Sequence, residues 1–168
     1  AEGVRRVCRE LTLAEGGSCP ASVGIKWPND LVINGRKACG ILTEMSLSVE
    51  QDSIQYVVIG VGINTARQTF AEELQGRAIA MEEVFEPVNR GELLAAILEA
   101  FETDYEAFCE KGDLSQLKKA YNALLVNLDR QVRVLDPKGE FDGVARGIRD
   151  TGELIVEDRK STRLNSSH

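Results

Sequence analysis

The ten residues from Ile54 to Ile63, IQYVVIGVGI, constrain this chain more than any other segment. They are rich in β-branched side chains, which lose rotamer freedom in a helix and fit a pleated surface. An apolar run without polar alternation predicts a strand buried on both faces. Such a strand needs hydrogen-bonding neighbours, and the upstream sequence supplies them. Val23 and Ile25 alternate with small or polar residues into Lys26 and Trp27. Pro28 should end that strand, because proline offers the ladder no N–H. Leu31 to Ile33 form a short apolar run, Asn34-Gly35 is a strong hairpin signal, and a further strand is predicted over Lys37 to Ser46.

Helical periodicity appears on both sides of this region. Val4, Val7, Leu11 and Leu13 predict the end of an amphipathic helix, stopped by Gly16 and Gly17. Asn89 followed by Glu92 predicts a helix cap, a variant of the capping box. Leu93, Leu94, Ile97, Leu98, Phe101, Tyr105 and Phe108 follow at helical spacing and are expected to be core. A short helix is predicted over Leu114 to Ala123. Strand signals return at Val132 to Val134, Phe141 to Ile148 and Leu154 to Val156. Asp136-Pro137-Lys138-Gly139 and Asp150-Thr151-Gly152 separate them as tight turns. Short strands joined this way predict a small β-barrel, with a domain boundary near Leu128. There is no internal repeat and no low-complexity segment.

Composition narrows the function classes. The chain has 168 residues, enough for one medium domain or one domain plus a small one, and 43% are apolar, which argues against disorder. No apolar run is long enough to span a membrane, and no stretch has signal-peptide order. The chain opens on Ala1 in helical periodicity, so its true N-terminus is expected upstream. A net charge of −7 disfavours non-specific nucleic-acid binding. Cys8, Cys19, Cys39 and Cys109 have no CxxC spacing, which predicts reduced thiols in a cytoplasmic protein rather than a metal knuckle. Residues 158–168, DRKSTRLNSSH, lack apolar periodicity and resemble a translated sequencing adapter, so they are set aside as an artefact tail. Without them the 20 basic and 27 acidic residues become 17 and 26, a net of −9. His168, the chain's one histidine, goes too, which removes histidine base catalysis and histidine metal sites.

Three segments carry candidate chemistry. Lys26 in KWPND, at a strand end, projects a fixed positive charge suited to a carboxylate or phosphate, with Trp27 beside it to restrict water. On the residues alone, a surface lysine beside a core tryptophan is the preferred reading. Asn64 closes GVGIN, where Gly60 and Gly62 permit close approach of a backbone or a ligand. Its carboxamide offers donor and acceptor to a nucleotide or to metal-bound water, or simply makes a turn. In KACGILTE, Gly40 admits a ligand or a packed strand, and Glu44 reads as packing. Neither a dinucleotide-binding fingerprint nor a Walker motif is present, since Thr65 stands where the fingerprint needs glycine.

KWPND, GRKACGILTE and VIGVGIN together resemble biotin protein ligases in order and approximate spacing, and the resemblance runs over roughly Ala1 to Glu157. It implies an α+β catalytic domain akin to class II aminoacyl-tRNA synthetases. That domain is a mixed, mostly antiparallel sheet with helices, truncated at its N-terminus and followed by a small SH3-like barrel. The implied domains are 1–127 and 128–157. It also implies the reaction: biotin and ATP, with Mg²⁺, give biotinyl-5′-AMP, which acylates a lysine of biotin carboxyl carrier protein, an acetyl-CoA carboxylase subunit or domain. Lys26 matches the family's catalytic lysine at the biotin carboxylate and α-phosphate. Gly40 and Ile41 match the strand flanking biotin. Asn64 matches the asparagine at the phosphates, reaching the metal at most through Mg-ATP, and Thr65 lies near the adenylate. Trp27, Pro28, Asn29 and Asp30 are expected to shape the loop, with Asp30 capping local N–H groups.

The family's Gly- and Arg-rich loop and its Ser/Thr ureido-binding segment have no match here, so this chain alone is expected to be inactive, with an apolar sheet edge left bare. Its barrel is expected to stop short of a last strand. Rival expectations are a lipoate ligase or octanoyl transferase, a non-catalytic biotinyl-AMP-sensing repressor, and a scaffold without ligand. DNA binding would require an upstream helix-turn-helix, and homodimerisation is a family habit that these residues leave open.

Overall fold

The computed structural model describes Gly3 and residues 21–48, 53–85, 87–135, 139–158 and 162–165, the last four as backbone. The helix expected over residues 4–14 and the turn residues 136–138 lie outside these. The architecture is mixed α+β, with two antiparallel four-stranded sheets.

The first sheet is a meander of β1 (Val23–Lys26), β2 (Asp30–Ile33), β3 (Arg36–Ser48) and β4 (Ser53–Ile63). The β2–β3 hairpin turns at Asn34-Gly35, both with positive φ (50° and 77°), as a primed turn requires. One face packs a core of Leu31, Ile33, Ala38 and Cys39 against Ile79, Met81, Phe85, Val88, Leu93 and Ala96. Helix α1 (Arg90–Lys111) begins as expected: the Asn89 side chain accepts hydrogen bonds from the N–H groups of Gly91 and Glu92. It ends at Gly112, in the left-handed conformation (φ 72°).

Two expectations fail here. The apolar run from Ile54 to Ile63 is a strand, but its side chains are exposed apart from half-buried Ile63, because β4 is paired only with β3 and nothing among the described residues covers its faces. The helical stripe is not core either. Leu93 and Ala96 are buried, Ile97 is half-buried, and Leu94, Leu98, Phe101, Tyr105 and Phe108 are exposed. The rings of Phe101, Tyr105 and Phe108 stack on one another along the helix instead. Spacing put these side chains on a stripe; only a partner surface could have buried them. The second helix, α2 (Lys118–Leu124), starts later than expected, because Asp113 accepts from the Ser115 N–H in a turn that occupies the predicted first residues.

The second sheet, β5 (Gln131–Val134), β6 (Phe141–Ile148), β7 (Leu154–Glu157) and β8 (Thr162–Asn165), goes with a core of Leu125, Val134, Ala145, Ile148, Leu154 and Val156. It is open: β5 and β8 are its two edges, not a closed barrel. β8 falls inside the run set aside as foreign to the fold. A β7 edge offers unpaired backbone groups that accept an extended strand of almost any sequence, and Thr162–Asn165 fills that edge.

Candidate functional site

β1 ends where Trp27-Pro28-Asn29 turns the chain into β2, with a cis peptide bond before Pro28. The turn is fixed to β3 from both sides of Asn29. Its carbonyl accepts the Ile41 N–H (2.9 Å), and its Nδ2 donates to the Ile41 carbonyl (2.8 Å). The strand register then creates a straight row across the whole sheet: Lys26 opposite Asp30, Asp30 opposite Gly40, Gly40 opposite Gly62. Directly paired residues share a face, so the row presents an ammonium and a carboxylate beside two positions with no side chain. Gly60, two residues from Gly62 and opposite Leu42, extends the bare patch. The result is an open cleft of about 470 Å³ lined by Asn29, Lys37, Gly40, Ile41, Gly60 and Gly62. A flat ring can lie against backbone there, with a positive charge at its end.

Lys26 is exposed and makes no hydrogen bond or ion pair among the described residues. Among the described residues Asp30 makes no N–H cap of the kind expected; its Oδ1 takes Lys37 Nζ at 2.5 Å. Ile41 alternates to the other face, half-buried against the first core. Cys39 also faces that core, and burial pushes its thiol pKa up, so it is kept protonated and unreactive.

Asn64 and Thr65 leave β4 on the helix side. The Asn64 N–H donates to the Ala38 carbonyl (2.9 Å) and its carbonyl accepts from Met81 (2.8 Å), which fixes the residue's position. Among the described residues its carboxamide makes two long bonds, 3.4 Å to the Ile79 carbonyl and 3.4 Å from Gln68 Nε2, leaving capacity for a ligand. Asn64 and Thr65 line a second cleft of about 490 Å³ between the sheet and α1, with Arg90 and Gln68. The structure thus puts Lys26 and Gly40 in one cross-strand row, and Asn64 with Thr65 in a separate cleft on the helix side of the sheet. Arg90 was missed by sequence reasoning; an arginine one residue past a cap reads as ordinary helix surface.

Trp27 was also underread. Its indole Nε1 donates to the Gly152 carbonyl (3.1 Å) and its ring packs against the second core. The next contact is at β1 itself. Gly24 leaves room for Leu124 and Val126, since a Cβ there would sit 2.3 Å from Val126 Cγ1, and the Val126 N–H donates to the Ile25 carbonyl. Lys118 and Asp150 pair at 3.0 Å nearby. The second sheet is therefore tied directly to the strand that ends in Lys26.

Comparison with known proteins bears on this geometry. Residues 1–64 match the Biotin/lipoate A/B protein ligase family. The bifunctional ligase/repressor BirA of Bacillus subtilis is 36% identical over 136 residues, which is 79% of this chain and 41% of that protein. The biotin–[acetyl-CoA-carboxylase] ligase of Paracoccus denitrificans is 30% identical over 140 residues, 81% of this chain and 57% of that one. The chain thus spans about two fifths to three fifths of these relatives' lengths. The apo biotin protein ligase of Aquifex aeolicus superposes with TM-score 0.77 at 23% identity, covering 98% of this chain and 68% of that one. The same ligase in complex with biotin and ATP superposes at 0.76 with 24% identity, covering 98% of this chain and 65% of that one.

Proposed function

The chain belongs to the biotin/lipoate A/B protein ligase family, and we propose that it is the part of a biotin–protein ligase that carries the charged end of the adenylation site. The row Lys26–Asp30–Gly40–Gly62 carries this reading, because it sets an ammonium with no partner among the described residues in line with two glycines. Adenylation must bring the biotin carboxylate against the α-phosphate of ATP, two anions. Lys26, fixed at a strand end, lies between them and stabilises the charge that accumulates as the acyl–phosphate bond forms and pyrophosphate leaves. The mixed anhydride is then attacked by the lysine of a biotin carboxyl carrier protein, and AMP departs. Gly40 and the backbone of Ile41 flank biotin, and Asn64 and Thr65 face the nucleotide. Among the described residues no three His, Cys, Asp or Glu side chains cluster. We read Mg²⁺ as held by the ATP phosphates, with Asn64 as an outer contact.

The fold reading accompanies this one. Residues 1–127 are the C-terminal part of a class II synthetase-like catalytic domain, 128–157 an SH3-like domain, and 158–168 a tail without function. No described helix is long and apolar enough to cross a membrane; we place the protein in the cytoplasm. A repressor role like that in the Bacillus relative's name requires an upstream DNA-binding segment, and dimer formation is left to the assembled protein. The test is ATP- and Mg²⁺-dependent transfer of labelled biotin to a carrier domain by the protein extended upstream to its relatives' length. Transfer by the extended protein and none by residues 1–168 is the expected result. Transfer of a lipoyl or octanoyl group in its place contradicts the biotin assignment.

A further inference from the structure

The pairing of β2 with β3 is interrupted at one point: Leu31 faces Cys39, yet Val32 faces Lys37, so Ala38 is an extra residue. In an unbroken strand, positions 37 and 40 point to opposite faces. The bulge reverses that relation. It sends both Ala38 and Cys39 into the core, each 2% exposed, and turns Lys37 onto the face of Gly40. Its backbone is held there. The Lys37 N–H donates to the Arg77 carbonyl (2.8 Å), the Lys37 carbonyl accepts from Ile79 (3.0 Å), and the Ala38 carbonyl accepts from Asn64. One irregularity thus aims Lys37 at the floor and anchors Asn64.

On that floor the Lys37 side chain lies along the glycine patch, its Cε and Nζ both 3.2 Å from where a Cβ on Gly40 would stand. Asp30, with a side chain 18% exposed, holds it by the ion pair, while Lys37 itself is half in solvent. Asp30 therefore sits between two lysines, in register with Lys26 and paired with Lys37. One carboxylate neutralises one ammonium, which leaves the row with a net positive charge.

We propose that Lys37 is a second cationic contact of the adenylation site, parked on Asp30 in the empty site and shared with the phosphate of the nucleotide once the glycine floor is occupied. An ion pair open to solvent is weak, so exchanging one oxyanion for another is easy, whereas a charge covered by ligand counts for more. This inference rests on the ligase reading and adds a residue that the resemblance did not assign.

The test uses the ligase extended upstream to its relatives' length, with calorimetric binding of Mg-ATP as the probe. Lys37→Gln removes the charge and keeps much of the side chain's reach. It is expected to weaken ATP binding about five-fold, the usual scale for one partly exposed charge contact. Asp30→Asn frees Lys37 and removes a nearby anion; it is expected to tighten ATP binding several-fold, with both effects shrinking as salt rises. A merely structural ion pair gives a different pattern, in which both substitutions lower the thermal midpoint and weaken ATP alike. That pattern overturns the proposal. So does unchanged binding in Lys37→Gln alongside a large loss in Lys26→Ala, which leaves the ligase reading intact. If Lys26→Ala also binds ATP normally, the site reading and the inference fall together.

Discussion

The two sheets have the same strand number and the same antiparallel order, yet they are finished to different degrees. In the second, β6 and β7 hide alternate side chains, and Ala145 and Val156 are fully buried. In the first, β4 carries a richer apolar sequence and leaves Val57, Val58, Ile59 and Val61 each about half exposed (47–53%). Apolar content therefore did not decide burial; the presence of a second layer did. β2 shows this within the first sheet. Leu31, Val32 and Ile33 are buried because the 79–96 segment lies on one side and the ties to the second sheet lie near the other. β4 and the far turns of α1 have no such layer among the described residues. Exposed apolar surface of the kind each presents is what monomeric proteins rarely leave open.

Substitutions can sharpen that contrast. Ile148→Ala in the second sheet is expected to cost about 3 kcal/mol through the cavity it leaves, read by denaturant unfolding. Asn89→Ala removes the cap of α1 and is expected to cost about 1 kcal/mol. Val58→Ala in the first sheet is expected to change stability by no more than about 0.5 kcal/mol, despite being the same kind of truncation. A loss near that of Ile148→Ala would show that β4 is covered in solution and would break the comparison. The smallest effect at neutral pH is expected from Tyr121→Phe. Tyr121 packs against the second core, and burial pushes its phenol pKa up to about 12. Because the folded value is raised, its contribution is whole below the ordinary value of 10.0 and is lost as pH rises toward about 12. Circular dichroism should show that alkaline loss in the native chain and a shallower one in Tyr121→Phe.

Much of this fold was legible because its signals are local. Asn34-Gly35 needs only its own backbone to specify the hairpin, Pro28 ends β1 by lacking a donor, and Asn89 caps α1 through its nearest N–H groups. The failures all required knowledge of neighbours. β4 reads as buried from its unbroken apolar run, and the Phe101–Phe108 stripe from its spacing, but neither signal says what lies on the face. The open second sheet has the same origin, since strand signals do not state whether the edges meet. In the site, Lys26, Gly40 and Asn64 were visible as motif ends, but the row that aligns Lys26 with Gly40 depends on register. Lys37 was invisible for a sharper reason. Strict alternation puts it on the wrong face, and only the bulge at Ala38 brings it round. Trp27 looked like a shield for Lys26 and proved to be a tie to Gly152, a contact between residues far apart in the chain.

The central claim is that Lys26 supplies the positive charge on which biotin activation depends. It is tested most directly by measuring biotinyl-5′-AMP formation, through pyrophosphate release, in the upstream-extended protein with and without Lys26→Ala. Lys26 is exposed and has no partner among the described residues, so the substitution should leave the unfolding midpoint unchanged. Adenylate formation should fall by a factor on the order of a hundred or more, as expected when a charge aimed at the transition state is removed. Adenylate formation at the native rate by a folded Lys26→Ala protein would contradict the account.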